Sequence, residues 1–201
     1  MHLFPVLCAL LALATALPAK SQSELNEQSA VLAQAAIGIR QNAIATQLVS
    51  DQLRADMLAG HLANGSHAQP FAQLLRALRQ HQSALAQNAA FAQALDNLNA
   101  QLDTYIAALP KDSPARLRAT SMLIDINGIG QHRKDLLVDV SHLIANVEAA
   151  ADMVGLAIQS NAPGRLQIQT SLALNRTDAH LATVMDWLDM ASTRMDASTL
   201  P

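Results

Sequence analysis

Four side chains in one stretch are spaced for chemistry: His132, Asp135, Asp139 and His142. Steps of three, four and three residues put them on one face of a helix. Imidazoles and carboxylates so aligned could hold a divalent cation if a second helix supplied a further ligand. Each of the four, however, comes one residue before a position of an apolar stripe, so their face lies roughly 100° from the buried side. A solvated face with weak Asp–His pairs accounts for that placement, and no metal is assigned.

His81, Asn88 and Arg133 are different, because they interrupt the apolar stripes themselves. If the helices carrying them are neighbours, they form a polar layer. Such a layer sets register, as a buried Asn does in a coiled coil, with each polar end reaching water or a partner. The other reading is a small anion or polar ligand held by the Arg133 guanidinium. Ile126-Asn127-x-x-Gly130-x-x-Arg133 resembles a short motif in the helical periplasmic domains of bacterial nitrate sensors, which implies an anion at the arginine. The resemblance spans eight residues with four matches, and Leu137 stands where that motif has a second arginine. No family assignment follows from it.

Catalytic signatures are missing from the text of the chain. It has no G-x-S-x-G, no H-E-x-x-H, no phosphate-cradling glycine loop and no C-x-x-C-H haem attachment. Its single cysteine, Cys8, lies in an N-terminal apolar run. Seven methionines among helices read as core filler rather than haem ligands. Aromatic side chains make up 2% of the residues, too few to build platforms for bases or sugars. Trp187 falls off the main stripe of its segment, either as an anchor for a partner or as a cover for the bundle edge. The expectation is a non-enzyme with no cofactor.

The elements that must position these residues are helices. Hydrophobic residues reach 51%, so the chain folds, and its net charge of −3 gives no basic field to attract nucleic acid. Three breakers divide the chain: Asn64-Gly65-Ser66, Pro110 to Pro114, and Asn161-Ala162-Pro163-Gly164. The stretches between them are rich in Ala, Leu and Gln and show no period-two alternation. Steps of three and four run through Phe71, Leu74, Leu78 and Leu85, through Ile126, Ile129, Leu136 and Val140, and through Leu174, Leu181, Val184 and Leu188. In the first stretch Leu25, Leu32, Ile39 and Leu53 keep the period, and Ile37, Ile44, Leu48, Leu58 and Leu62 widen the stripe. The reading is an all-α, elongated up-down-up-down four-helix bundle, a single domain over 22–198. Its helices are expected at about 22–63, 68–109, 114–160 and 165–197. Gly128 and Gly130 inside the third mark a kink, a close crossing or tolerated glycines.

Residues 1–16 carry no charged side chain and end Ala14-Thr15-Ala16, a small-x-small cleavage pattern. They read as a secretory signal peptide cut after Ala16, with Ala19 the other position. Loss of that segment removes Cys8, leaving a chain stabilised by packing alone, without a stable membrane anchor. Asn64-Gly65-Ser66 and Asn175-Arg176-Thr177 are N-glycosylation sequons; Asn64 is the better acceptor, lying in a turn. The expected protein is extracellular, or periplasmic if the source is bacterial. It acts by binding a protein partner or itself as a homo-oligomer, with a carrier of lipid or another apolar molecule, or a polar-ligand sensor, as rivals.

Overall fold

The ends of the helices are set by identifiable residues. In a computed structural model the chain forms α1 (Phe4–Leu58), a 3₁₀ turn (His61–Asn64), α2 (Ala68–Leu85), α3 (Ala90–Ala108), α4 (Pro114–Gln159) and α5 (Pro163–Arg194). The structure describes the backbone of residues 4–64 and 66–194, and the side chains of 23–63 and 66–194. Among the described residues there is no β-strand. Gly60, with φ of +74°, lets the chain leave α1. Ser113 caps α4 by accepting the Arg116 amide at 3.2 Å, with Pro114 in the first turn. Asn161, at φ of +50°, closes α4, and the Ala162 amide reaches back to the Ala157 carbonyl at 2.8 Å.

Three boundaries differ from those read in the sequence, the first being the end of α1 at Leu58 rather than 63. α1 is continuous from Phe4, so the expected start near residue 22 marks no break in the helix. The side chains of residues 1–22, and with them the signal-peptide reading of 1–16, lie outside the described residues. The second helix is interrupted: Ala86 and Ala89 are extended, at ψ of 160° and 157°, and separate α2 from α3. This interruption shifts the helical phase in part: Ala92, Leu95 and Leu102 stay inward as expected. Leu98 and Tyr105 are buried in α3, whereas the older phase would have placed Asn99 and Ile106 inward.

α1 packs on α2, α3 and α5, and α4 packs on the same three. α2 and α3 follow one another along one corner, so α1 and α4 stand at opposite corners and α5 completes the square. The core is one continuous cluster drawn from all five α-helices, from Leu25 to Ala191. Its driving term is apolar area removed from water, about 25 cal/mol per Å². No helix among the described residues is long and apolar enough to cross a membrane.

Candidate functional site

The centre of the bundle holds polar side chains from several helices. His81 of α2 and His180 of α5 meet edge to face, with ring centroids 5.4 Å apart. They bridge two corners whose helices otherwise touch little, so the pair sits across the diagonal. His180 Nδ1 lies 2.6 Å from the Asp139 carboxylate of α4. That carboxylate is 61% exposed while the His180 side chain is buried, so the pair links the core to the surface. His180 Nε2 and both ring nitrogens of His81 are buried without a hydrogen-bond partner. Burial lowers the His81 pKa from 6.5 to about 4, and the neighbouring His180 pushes the same way. His81 is therefore a neutral imidazole at neutral pH.

Hydrogen bonds tie the same level of the bundle together. Thr46 of α1 donates to the Ala77 carbonyl of α2 at 3.4 Å, one turn before His81. Gln82, next to His81, donates to Ser141 of α4 at 2.9 Å. One layer further along α1, the Asp178 carboxylate of α5 accepts from Gln47 at 3.2 Å, from Ser50 at 3.1 Å and from Arg54.

Arg133 takes its place in a second layer. Its side chain is buried, and NH1 donates to the Leu85 carbonyl, at the C-terminal end of α2. NH2 donates to Gln87 Oε1 at 2.5 Å. The last carbonyls of a helix lack partners within it and carry partial negative charge, so a guanidinium there acts as a C-cap delivered from another helix. Burial pushes its pKa down, and the nearby Asp96 carboxylate opposes that shift. A cleft of about 490 Å³ adjoins it, lined by Asp96, Asn99, Asn127, Gln131 and Lys134 among others. Arg133 Nε and Asn99 Oδ1 are buried there without a partner. Gly130 belongs to the same wall, and a Cβ on it would stand 3.1 Å from Leu95 Cδ2, a close crossing of α3 and α4.

The structure therefore separates residues that the sequence grouped. His81 and Arg133 are both buried but belong to different layers. Asn88 is exposed, in the turn between α2 and α3, where its carbonyl accepts from Gln93 at 3.1 Å. It is no part of a core layer, because the chain is not helical at that position. Trp187 is not a partner anchor: it is 3% exposed and stacks edge to face on Phe91 at 5.2 Å, again across the diagonal. The side chain of Asn64 lies outside the described residues. On the His132–His142 face, His132 Nδ1 contacts the Gly128 carbonyl at 3.0 Å, and Asp139 turns to His180. Among the described residues no group of three or more His, Cys, Asp or Glu side chains is placed to share a metal ion. His180, unmarked in the sequence reading, is the residue that completes the pair with His81.

The surface holds the other misread feature. Ile37, Ile44, Leu48 and Leu58 do not widen the core stripe of α1; they are 45%, 48%, 65% and 70% exposed. At 100° per residue the buried positions Leu32, Ile39, Ala43 and Leu53 centre on one side of the helix; Ile37, Ile44 and Leu48 fall on the opposite side, and Leu58 at its margin. Comparison with protein-family models, curated proteins and solved structures finds no match.

Proposed function

We propose that this protein is a secreted, non-enzymatic helical bundle that works by binding a protein partner or itself. In this reading residues 1–16 are a cleaved signal, 22–198 form one domain with up-and-down connectivity, and Asn64 is available for glycosylation. The observation that carries it is the outer face of α1, where large apolar side chains stand in water with no charge among them from Ala30 to Leu48 apart from Arg40, which pairs with Asp189. Apolar patches of this extent on a protein surface are often functional. Light scattering on the purified protein, with capture on immobilised protein, tests the reading. It is overturned by a strictly monomeric chain that captures no partner, with Leu48→Asp leaving both results unchanged.

A second reading, a small polar ligand, is favoured by the partnerless Arg133 Nε and Asn99 Oδ1 in the 490 Å³ cleft. It predicts thermal stabilisation by a small ligand that offers an acceptor to Arg133 Nε and a donor to Asn99 Oδ1, such as a simple amide, which Asn99→Ala removes. The Arg133 donors already given to Leu85 and Gln87 make capping the better account of this side chain.

A further inference from the structure

We infer that the outer face of α1 pairs with the same face of a second copy of this chain, with the two helices antiparallel. The inference rests on the association reading above and names its partner. Going along the exposed side of α1, the residues are Ala30, Gln34, Ile37, Gln41, Ile44, Leu48, Asp51, Ala55 and Leu58, all exposed. Their steps alternate four and three, which is a heptad seam, and it runs opposite the seam that faces the core. α1 is thus a helix with two apolar stripes, one of them uncovered among the described residues.

The extent of the seam suits a second copy. Residues 30 to 58 cover roughly 43 Å at 1.5 Å per residue, and a strip about 12 Å wide gives about 500 Å² on each side. Two copies together bury about 1,000 Å², near the lower limit for a specific interface. Gly38 flanks the seam, and a Cβ there would meet nothing within 4 Å, so packing inside the chain does not require the glycine. A bare backbone at that point lets another helix approach closely. Arg40, beside the seam, is held by Asp189 of α5, which keeps a cation from the contact.

Direction follows from the single ionisable group on the seam, Asp51. In a parallel pair it faces its own copy, and Gln34 and Gln41 likewise face themselves; like charges in contact oppose association. In an antiparallel pair the four layers between residues 30 and 55 close in one register, with Leu58 beyond the last of them. Ala30 faces Ala55, Gln34 faces Asp51, Ile37 faces Leu48 and Gln41 faces Ile44. The two-fold axis then passes between residues 42 and 43, and the contact is self-complementary and closed. An amide opposite the carboxylate can donate to it, and the two largest apolar side chains of the central stretch meet.

The full chain carrying Cys8→Ser serves for the test. Light scattering at about 100 μM, above the micromolar dissociation constants that interfaces of this size reach, is expected to give twice the chain mass. Leu48→Asp is expected to halve that mass with unchanged helical circular dichroism, because Leu48 makes no core contact that the fold needs. Ala30→Cys and Ala55→Cys chains, mixed and oxidised, are expected to cross-link to each other, and neither to itself. Cross-linking of Ala55→Cys to itself overturns the antiparallel register and leaves association standing. A monomer that captures a protein through the Leu48 face overturns the second copy but not the proposed function. A monomer with no capture overturns both.

Discussion

Replacing His81 by leucine gives a direct reading of what the central layer contributes. The imidazole is fully buried, its nitrogens lack partners, and its pKa falls from 6.5 to about 4 on folding. A histidine with a lowered folded pKa binds its proton in the unfolded chain first. Between about 6.5 and 4 the unfolded state therefore holds more protons, and stability drops as pH falls through that window. At about 1.4 kcal/mol per unit the full loss is roughly 3 kcal/mol, of which about 2 to 3 kcal/mol is present near pH 4.5. His81→Leu removes no hydrogen bond, so near pH 7.5 its stability should lie within roughly 1 kcal/mol of the natural chain. Near pH 4.5 the variant should be the more stable by about 2 to 3 kcal/mol relative to that starting difference. Urea unfolding followed by circular dichroism at the two pH values measures both gaps. The Asp139 carboxylate and His180 are retained in both chains, so the difference between the gaps isolates His81. An equal gap at both pH values refutes the neutral, unpartnered imidazole.

Three further outcomes follow from the same contacts. Gly128→Ala, where a Cβ meets nothing, should stabilise the chain by roughly 0.5–1 kcal/mol, whereas Gly130→Ala should give no such gain because Leu95 stands 3.1 Å from the new atom; paired urea melts compare them. Arg133→Met should destabilise by roughly 1–3 kcal/mol, since the Leu85 carbonyl and Gln87 lose their donor, and the loss of amide protection should concentrate at the end of α2 in hydrogen exchange. Mass spectrometry of the exported protein should find a chain beginning at Leu17, or at Lys20 for the later cut; an intact Met1 on exported protein refutes the signal-peptide reading.

What the sequence made legible was set by which forces act locally. Helix type and the two later breakers were readable because Ser113, Pro114 and Asn161 carry their conformations in their own covalent structure, whereas α1 ends at Gly60, ahead of the turn read at Asn64-Gly65-Ser66. The break at Ala86–Ala89 was not, because neither glycine nor proline stands there. Its carbonyl is satisfied by an arginine 48 residues away, a contact that no window along α2 contains. That one hidden turn explains several errors together. It shifts the phase of α3, turns Leu98 and Tyr105 inward, and leaves Asn88 in water. His81 and Arg133 were visible as polar residues at core positions, but their partners follow from which corners of the bundle lie across the diagonal. His180, on a helix almost a hundred residues later, could have been found only by pairing the histidines of separate stripes.

The two stripes of α1 were merged for a related reason. Ile37 and Ile39 are two residues apart, about 200° around the helix, yet both recur with a period of seven. Counting apolar residues by period alone cannot distinguish one broad face from two opposite ones; phase can. A single broad stripe would need its middle positions filled, and on α1 the sides between the stripes carry Arg40, Asn42, Gln47 and Arg54. Those polar flanks show in the sequence itself that the helix has two apolar sides. Only one of them is met by the rest of the bundle. A second seam of nine heptad positions, broken by Gln34, Gln41 and Asp51, suits the contact inferred above, and the antiparallel register is the arrangement in which that carboxylate does not meet its own copy.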